Sequence, residues 1–446
     1  MFGTFINALK ITELRNRIGF TFLMILIFRL GCQIPTPGID PEAMRRLVQG
    51  ASNSIVGFFN IFSGGALEQF SIFALGIAPY INASIIMQLL VYVVSDLERM
   101  AKEEGEEGRK KISQYTRYGT VVIGMLQALG ISMWLEKVAD PKIGSIVLEP
   151  GWGFRLMSVL TLTTGTAFLM WMGEQMTAMG IGNGVSILIT AGIVSRLPGG
   201  IAYVIESFGL DHPNLPGYIR LLLLMAIIYM IVMMVVYVQD GVRKIPVQHA
   251  KRMVGRRVYG GASTHIPLKV NQGGVIPVIF ASSVLMFPGL IFNWLGRILD
   301  VTGANRDTLW ASLINGLTDS FQTQSWVYLA AEFVLIVFFT FFYTAITMNP
   351  KEIADNLKKY GGFVPGIRAG RKTTEYIDRI LNRITFAGGI MLGLIAIVPM
   401  KAIHYIGLKQ MYFGGTSLLI VVGVALDTVR QMESHMVTRH YQGFMK

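Results

Sequence analysis

The chain has 446 residues, of which 52% are hydrophobic and 15% charged, with 39 Lys and Arg against 27 Asp and Glu and a formal net charge of +12. A mean hydropathy of +0.52 and a pI near 9.7 exclude an ordinary soluble domain and point to a polytopic membrane protein. A single cysteine, Cys32, excludes an intramolecular disulfide, and six scattered histidines offer no metal-ligand spacing.

Ten apolar stretches follow one another at 18–34, 70–94, 118–134, 154–173, 183–205, 217–238, 273–292, 327–348, 384–398 and 413–428. Most suffice to cross a hydrocarbon core of about 30 Å at about 1.5 Å per helical residue. The first runs far past the apolar core of a signal peptide and lacks a small-x-small cleavage site after it, so it reads as a retained span. Of the 39 Lys and Arg, 27 fall on one set of segments: the amino-terminal tail, the loops 95–117, 239–272 and 349–383, and the carboxy-terminal tail. The positive-inside rule makes that set cytoplasmic, and both termini with it. The net charge of +12 has a plain reading, basic loops against an anionic leaflet, and a sharper one, a basic docking face.

Five spans per half, if the halves share a fold, require opposite insertion, which is an inverted repeat. The second span of each half carries Gly-x-x-Pro-x-Ile, as Gly76 to Ile81 and Gly274 to Ile279. A polar, proline-containing linker with Asp211, Pro213 and Pro216 divides an amino-terminal half, 1–208, from a carboxy-terminal half, 209–446. Spans two, four, five and seven hold Asn82, Gln88, Thr163, Thr166, Ser186 and Ser283 among their apolar residues. Such groups belong in helix contacts or along a water-filled path.

Ahead of span two, the apolar run 54–62 is closed by Ser63-Gly64-Gly65. At roughly 14 Å it is too short to cross a bilayer as a helix. It reads either as a half-helix dipping in from the outer side or as an interfacial helix lying flat.

Signals for an enzyme are poor: there is no phosphate loop, no His-Glu-x-x-His, no Gly-x-Ser-x-Gly and no carboxylate pair at bilayer depth. Arg29, Glu332 and Asp427 are the most embedded charges, each within about two turns of a span end, where side chains snorkel. A secondary transporter or an intramembrane enzyme calls for a midplane carboxylate or histidine. Isoleucine stands there instead: counting in from the span ends puts Ile81, Ile189, Ile279 and Ile420 near mid-depth. The loops 239–272 and 349–383 carry seven and eight basic residues, a sign that suits phosphate-rich RNA or an acidic partner.

Six motifs carry a resemblance across essentially the whole chain: Ile112 to Gly119, Gly255 to Tyr259, Thr264 to Asn271, Ala354 to Lys359, Phe363 to Arg368 and Tyr412 to Ile420. In this order they closely resemble the bacterial SecY family of protein-conducting channels. The resemblance implies an all-α protein of ten transmembrane helices in two inverted five-helix halves around a central pore. It implies an apolar pore ring of Ile77, Ile81, Val185, Ile189, Ile279 and Ile420. Val185 stands where isoleucine is common in the family. A plug helix, about 54–66, would include Ile55, Phe58, Phe59, Phe62, Gly64 and Gly65. Asn82 and Asn271 would be polar positions of a lateral gate, and Arg256, Arg257 and Arg368 would dock partners. The expected activity is passive conduction of unfolded polypeptides, with no enzymatic step and no cofactor. The expected partners are SecE, SecG, the SecA motor, the ribosome with its rRNA, signal peptides and nascent chains, and membrane lipids. The expected location is the bacterial inner membrane.

Overall fold

The computed structural model describes residues 11–50, 57, 60, 62–137, 139–140, 144–209, 215–249, 252–254, 257–259, 263–298, 316–318, 320–321, 325–406, 408 and 414–443. The helices are α1 (Thr12–Gly31), α2 (Pro41–Gly50), α3 (Ala78–Val93), α4 (Ser95–Lys102), α5 (Gly105–Lys137), α6 (Trp152–Met179), α7 (Gly184–Val194), α8 (Leu197–Phe208), α9 (Leu215–Asp240), α10 (Ile276–Ile298), α11 (Trp326–Thr347), α12 (Pro350–Lys359), α13 (Arg371–Tyr405) and α14 (Gly415–Gly443). Every one of the ten expected spans has a helix over it. Among the described residues, seven helical segments are long and apolar enough to cross a membrane, the joined stretch 184–208 counted as one. Helix α1 is 20 residues long and carries Arg15, Arg17 and Arg29.

Local chemistry starts and stops these helices. Asn183, Ser325 and Asn349 each accept a backbone N–H at the head of α7, α11 and α12, the N-cap role that short polar side chains perform. Gly209, at φ 61°, closes α8 in the left-handed conformation that glycine adopts without strain. Span five, expected as one helix, is two. Pro198 has no N–H for the Val194 carbonyl, so α7 stops and α8 restarts with proline in its first turn. The helix of span two starts later than the apolar run, at Ala78, and beyond Val94 the chain turns by 99° into the polar helix α4.

Helix α5 packs on α3 and α6, α13 on α9, α11 and α14, and α10 on α3, α5, α11 and α14. One apolar cluster runs through all of these contacts, from Met24 in α1 to Val424 in α14. Outside the bundle, the two-residue strands β1 (Ala139–Asp140) and β2 (Gly144–Ser145) pair after α5, and β3 (Val242–His249) and β6 (Ser263–Lys269) form an antiparallel hairpin in which Ile245 faces Ile266. A smaller hairpin, β4 (Arg252–Val254) with β5 (Arg257–Tyr259), sits at its tip. The short strand β7 (Gly362–Phe363) pairs with the end of β3. The two basic loops, read from sequence as separate projections, are therefore one sheet-bearing unit, with Ile245, Leu268, Val364, Ile377 and Leu381 as its own core. A two-stranded ladder needs such a core to be stable.

Candidate pore and plug

The ring residues come from four helices. Ile77 is the N-cap of α3 and Ile81 lies one turn inside it. Val185 and Ile189 share a face of α7, Ile279 sits in the first turn of α10, and Ile420 in the second turn of α14. All but Val185 are at most 5% exposed, and all belong to the same apolar cluster, with Val185 packed against it half-buried. Gly173 on α6 stands under one side of the group: a Cβ there would lie 3.1 Å from Val185 Cγ2 and 3.6 Å from Ile77 Cδ1. Branched aliphatic side chains brought together this way exclude water and offer it no hydrogen bond.

The Gly-x-x-Pro-x-Ile echo has one local geometry in both places. Gly76 and Gly274 each have φ 59°. Proline follows in the first helical turn, and the N–H of Ile81 and of Ile279 donates to the carbonyl four residues back, Ile77 and Val275, at 3.1 Å. Left-handed backbone followed at once by a proline-headed helix lets each chain turn sharply and present its isoleucine to the centre. The echo also aligns Val275 with Ile77. Val275 is buried in the same cluster, and the depth count from span ends did not mark it.

Of the expected plug, Ile55, Phe58 and Phe59 lie outside the described residues. Gly57, Asn60 and Phe62 are helical, and 63–70 continues as tight turns. Phe62, Asn60 and Ser63 are buried. The turn lies close against Gly76, where a Cβ would come within 3.2 Å of Ser63 Cα. Charge holds it from the other side. Arg29 donates to the Gly64 carbonyl at 2.8 Å and to Ser195 Oγ at 3.0 Å. Arg196 pairs with Glu68 at 2.9 Å, and Asn60 Nδ2 donates to the same carboxylate at 3.2 Å. Arg29 is half-buried near the end of α1, where a carbonyl and a hydroxyl hold it. Arg196 was not singled out from sequence at all. The signal was there, an arginine two residues before a proline inside an apolar run.

Glu332 was also expected to reach a surface, yet it is 1% exposed beside Tyr328, with Oε2 unpartnered among the described residues. Packing of α11 against α10 and α13 turns its face inward, and a carboxylate stem is too short to escape.

Asn82 is buried on α3 with Oδ1 unpartnered among the described residues. Asn271 is buried too, and its Nδ2 donates to the Gly274 carbonyl at 2.7 Å, so it holds the turn before α10. Helices α3 and α5 pack on α10, and Tyr92 of α3 stacks edge-on with Phe342 of α11, 5.8 Å between centroids. Gln431 of α14 accepts from the Gly182 N–H ahead of α7, while Arg430 donates to the Gln239 carbonyl at 2.9 Å and pairs with Asp240. Among the described residues no cluster of His, Cys, Asp and Glu could hold a metal ion.

The family model for SecY matches residues 71–429. The chain belongs to the SecY family. Protein translocase subunit SecY of Streptomyces griseus is 48% identical over the full length of both chains. The subunits of that name from Thermotoga maritima and Aquifex aeolicus are 44% and 42% identical, covering 98% or more of each chain. Among solved structures, one described as a protein-conducting channel superposes with a TM-score of 0.63 at 17% identity, covering 95% of this chain and 93% of that one. The Sec61 channel of a canine ribosome-channel complex gives 0.60 at 16% identity, with the same coverage. These likenesses carry the SecY fold, an all-α polytopic membrane bundle.

Of the residues expected to dock partners, Arg256 lies outside the described residues and Arg257 opens β5. Arg368 is exposed on the turn after β7, and its carbonyl accepts from Thr373 Oγ1 at 3.0 Å, which fixes the turn to the head of α13.

Proposed function

We propose that this chain is the central pore-forming subunit of a bacterial protein translocase, a passive channel that moves unfolded polypeptides across the cytoplasmic membrane and releases apolar segments sideways into it. What supports this reading is that the six branched aliphatic residues, from α3, α7, α10 and α14, all belong to or pack against one buried apolar cluster, with the 63–70 turn close against Gly76. A dry constriction resists water and ions, and non-directional apolar contacts yield around an extended chain of any sequence. Ile77, Ile81, Val185, Ile189, Ile279 and Ile420 are the ring, and the segment around 54–66 is the plug.

The channel opens as two halves, 1–208 and 209–446. The matching turns at Gly76 and Gly274 support that division. The gate is the seam of α3 and α5 with α10 and α11, lined by Asn82 and Asn271. Both termini and the joined basic loops face the cytoplasm, as 27 of 39 Lys and Arg on that side require. The sequence contains no phosphate-binding loop, so transport is driven from outside the chain. SecA and the ribosome dock on the loops through Arg256, Arg257 and Arg368, and SecE and SecG complete the complex.

The test is reconstitution of the chain with SecE and SecG in vesicles supplied with SecA and ATP. A preprotein should become protected from external protease only when the chain is present. Uptake of a small solute with no protein protection would overturn the proposal in favour of a transporter.

A further inference from the structure

Next to the 63–70 turn, between α1, α2 and the α7–α8 break, lies a cleft of about 430 Å³. Three arginines line it, Arg29, Arg45 and Arg196, against one carboxylate, Glu68, together with Gln33 and Gln69. Glu68 is already taken by Arg196. Arg29 is bonded to a neutral carbonyl and a hydroxyl, which leave its charge uncompensated. On α2 the neighbouring Arg46 pairs with Glu42, whereas Arg45 has no carboxylate partner among the described residues. The Nε of Arg196 is sealed from solvent and also lacks an acceptor among the described residues. A cavity that gathers this much unanswered positive charge is built for an anion, and guanidinium forks match a phosphate.

What flanks the cleft narrows the choice of anion. Phe22, Leu26 and Leu30 on α1 are exposed, and so are Leu197, Ile201 and Ile205, one stripe at four-residue spacing on α8. Two exposed apolar helix faces beside a cationic pocket suit a molecule with a phosphate head and hydrocarbon chains. Helix α1 ends at this cleft, and five more crossings carry the chain to β3 on the opposite side, so the pocket faces the leaflet away from the large basic loops.

We propose that this cleft binds the phosphodiester headgroup of an anionic phospholipid from that leaflet, its acyl chains lying on the α1 and α8 faces. Arg45 supplies the uncommitted charge. Arg29 and Arg196 reach the phosphate while still holding Gly64 and Glu68, so the lipid would sit against the segment proposed as the plug.

The experiment is native mass spectrometry of the full-length chain, purified in detergent with its co-purifying subunits, titrated with phosphatidylglycerol or phosphatidylcholine. Phosphatidylglycerol should be retained and phosphatidylcholine should not. Arg45→Gln, on an exposed face, should weaken retention about fivefold, the effect of one cation near a lipid phosphate. Glu68→Gln removes the one opposing charge and should strengthen retention by a similar factor, a direction that structural damage would not produce. Equal retention of the two lipids, or loss of retention in both variants, would overturn the proposal. Glycerol 3-phosphate binding as tightly as phosphatidylglycerol would assign the cleft to a soluble phosphate ester instead. Displacement of the lipid by an acidic peptide at lower concentration than by glycerol 3-phosphate would assign it to polypeptide. None of these readouts depends on translocation, so the inference can fail while the channel reading stands.

Discussion

Replacing Ile81 and Ile279 together with serine should turn the constriction from dry to wet. Both side chains are 3% exposed, on helices from different halves. Burial of each contributes roughly 1.5 to 3 kcal/mol, and a serine hydroxyl left without a partner costs a further 1 to 3 kcal/mol or so unless water enters to satisfy it. The open state does not expose these side chains fully, because a polypeptide or lipid replaces part of the lost contact. If about a third of the transfer energy of two isoleucines separates closed from open, the bias falls by about 1 to 2 kcal/mol. That raises the open population roughly 5- to 30-fold at about 1.4 kcal/mol per decade. The assay is single-channel current in planar bilayers, with the segment from Ile55 to Leu67 present or deleted. Ile395→Ser is the control: the residue is equally buried in the same cluster but lies on α13 outside the ring, so it should lower stability without conductance. A double mutant lacking the plug that stays as ion-tight as the wild type would make these isoleucines ordinary packing residues.

Three further outcomes are expected. Arg368→Glu should leave insertion and assembly intact, since an exposed turn residue rarely shifts stability by more than about 0.5 kcal/mol, yet block SecA-driven secretion; normal secretion by the assembled mutant removes the docking role. In a Cys32→Ser background, an impermeant thiol reagent outside intact cells should label Gly303→Cys and spare Arg257→Cys; the reverse pattern overturns the orientation. Gly76→Ala and Gly274→Ala both force a side chain into left-handed backbone at about 1 to 2 kcal/mol and should lower thermal stability alike. Gly76→Ala also presses on Ser63, whereas Gly274→Ala meets the far end of the Asp427 side chain, so only Gly76→Ala should raise ion leak, and equal leak from both would separate the 63–70 turn from the seal.

The spans were legible in sequence because hydropathy along a helix is a local property. Each expected span has a helix over it; prolines delay the start of the second span's helix and break the fifth, at Pro79 and Pro198, while the helices over 118–134, 384–398 and 413–428 run on past the apolar stretch into polar sequence. The proposed ring was partly legible. Counting depth from span ends picked out Ile81, Ile189, Ile279 and Ile420, because 1.5 Å per residue converts position into height. Ile77 and Val185 sit too near helix ends for that count, and only the family resemblance carried them.

By itself, then, the sequence determined that this is a membrane protein of the SecY fold, since apolar length acts through the solvent it faces, residue by residue, and basic charge sets the orientation proposed for its loops. Tertiary structure alone decided which groups meet. The bond from Arg29 to Ser195 spans 166 residues and that from Arg29 to Gly64 spans 35. The pairing of β7 with β3 joins two strands that have α10, α11 and α12 between them. The inward turn of Glu332 is set by neighbouring helices. No pattern along one segment encodes such meetings, because their energy exists only when distant elements are packed together.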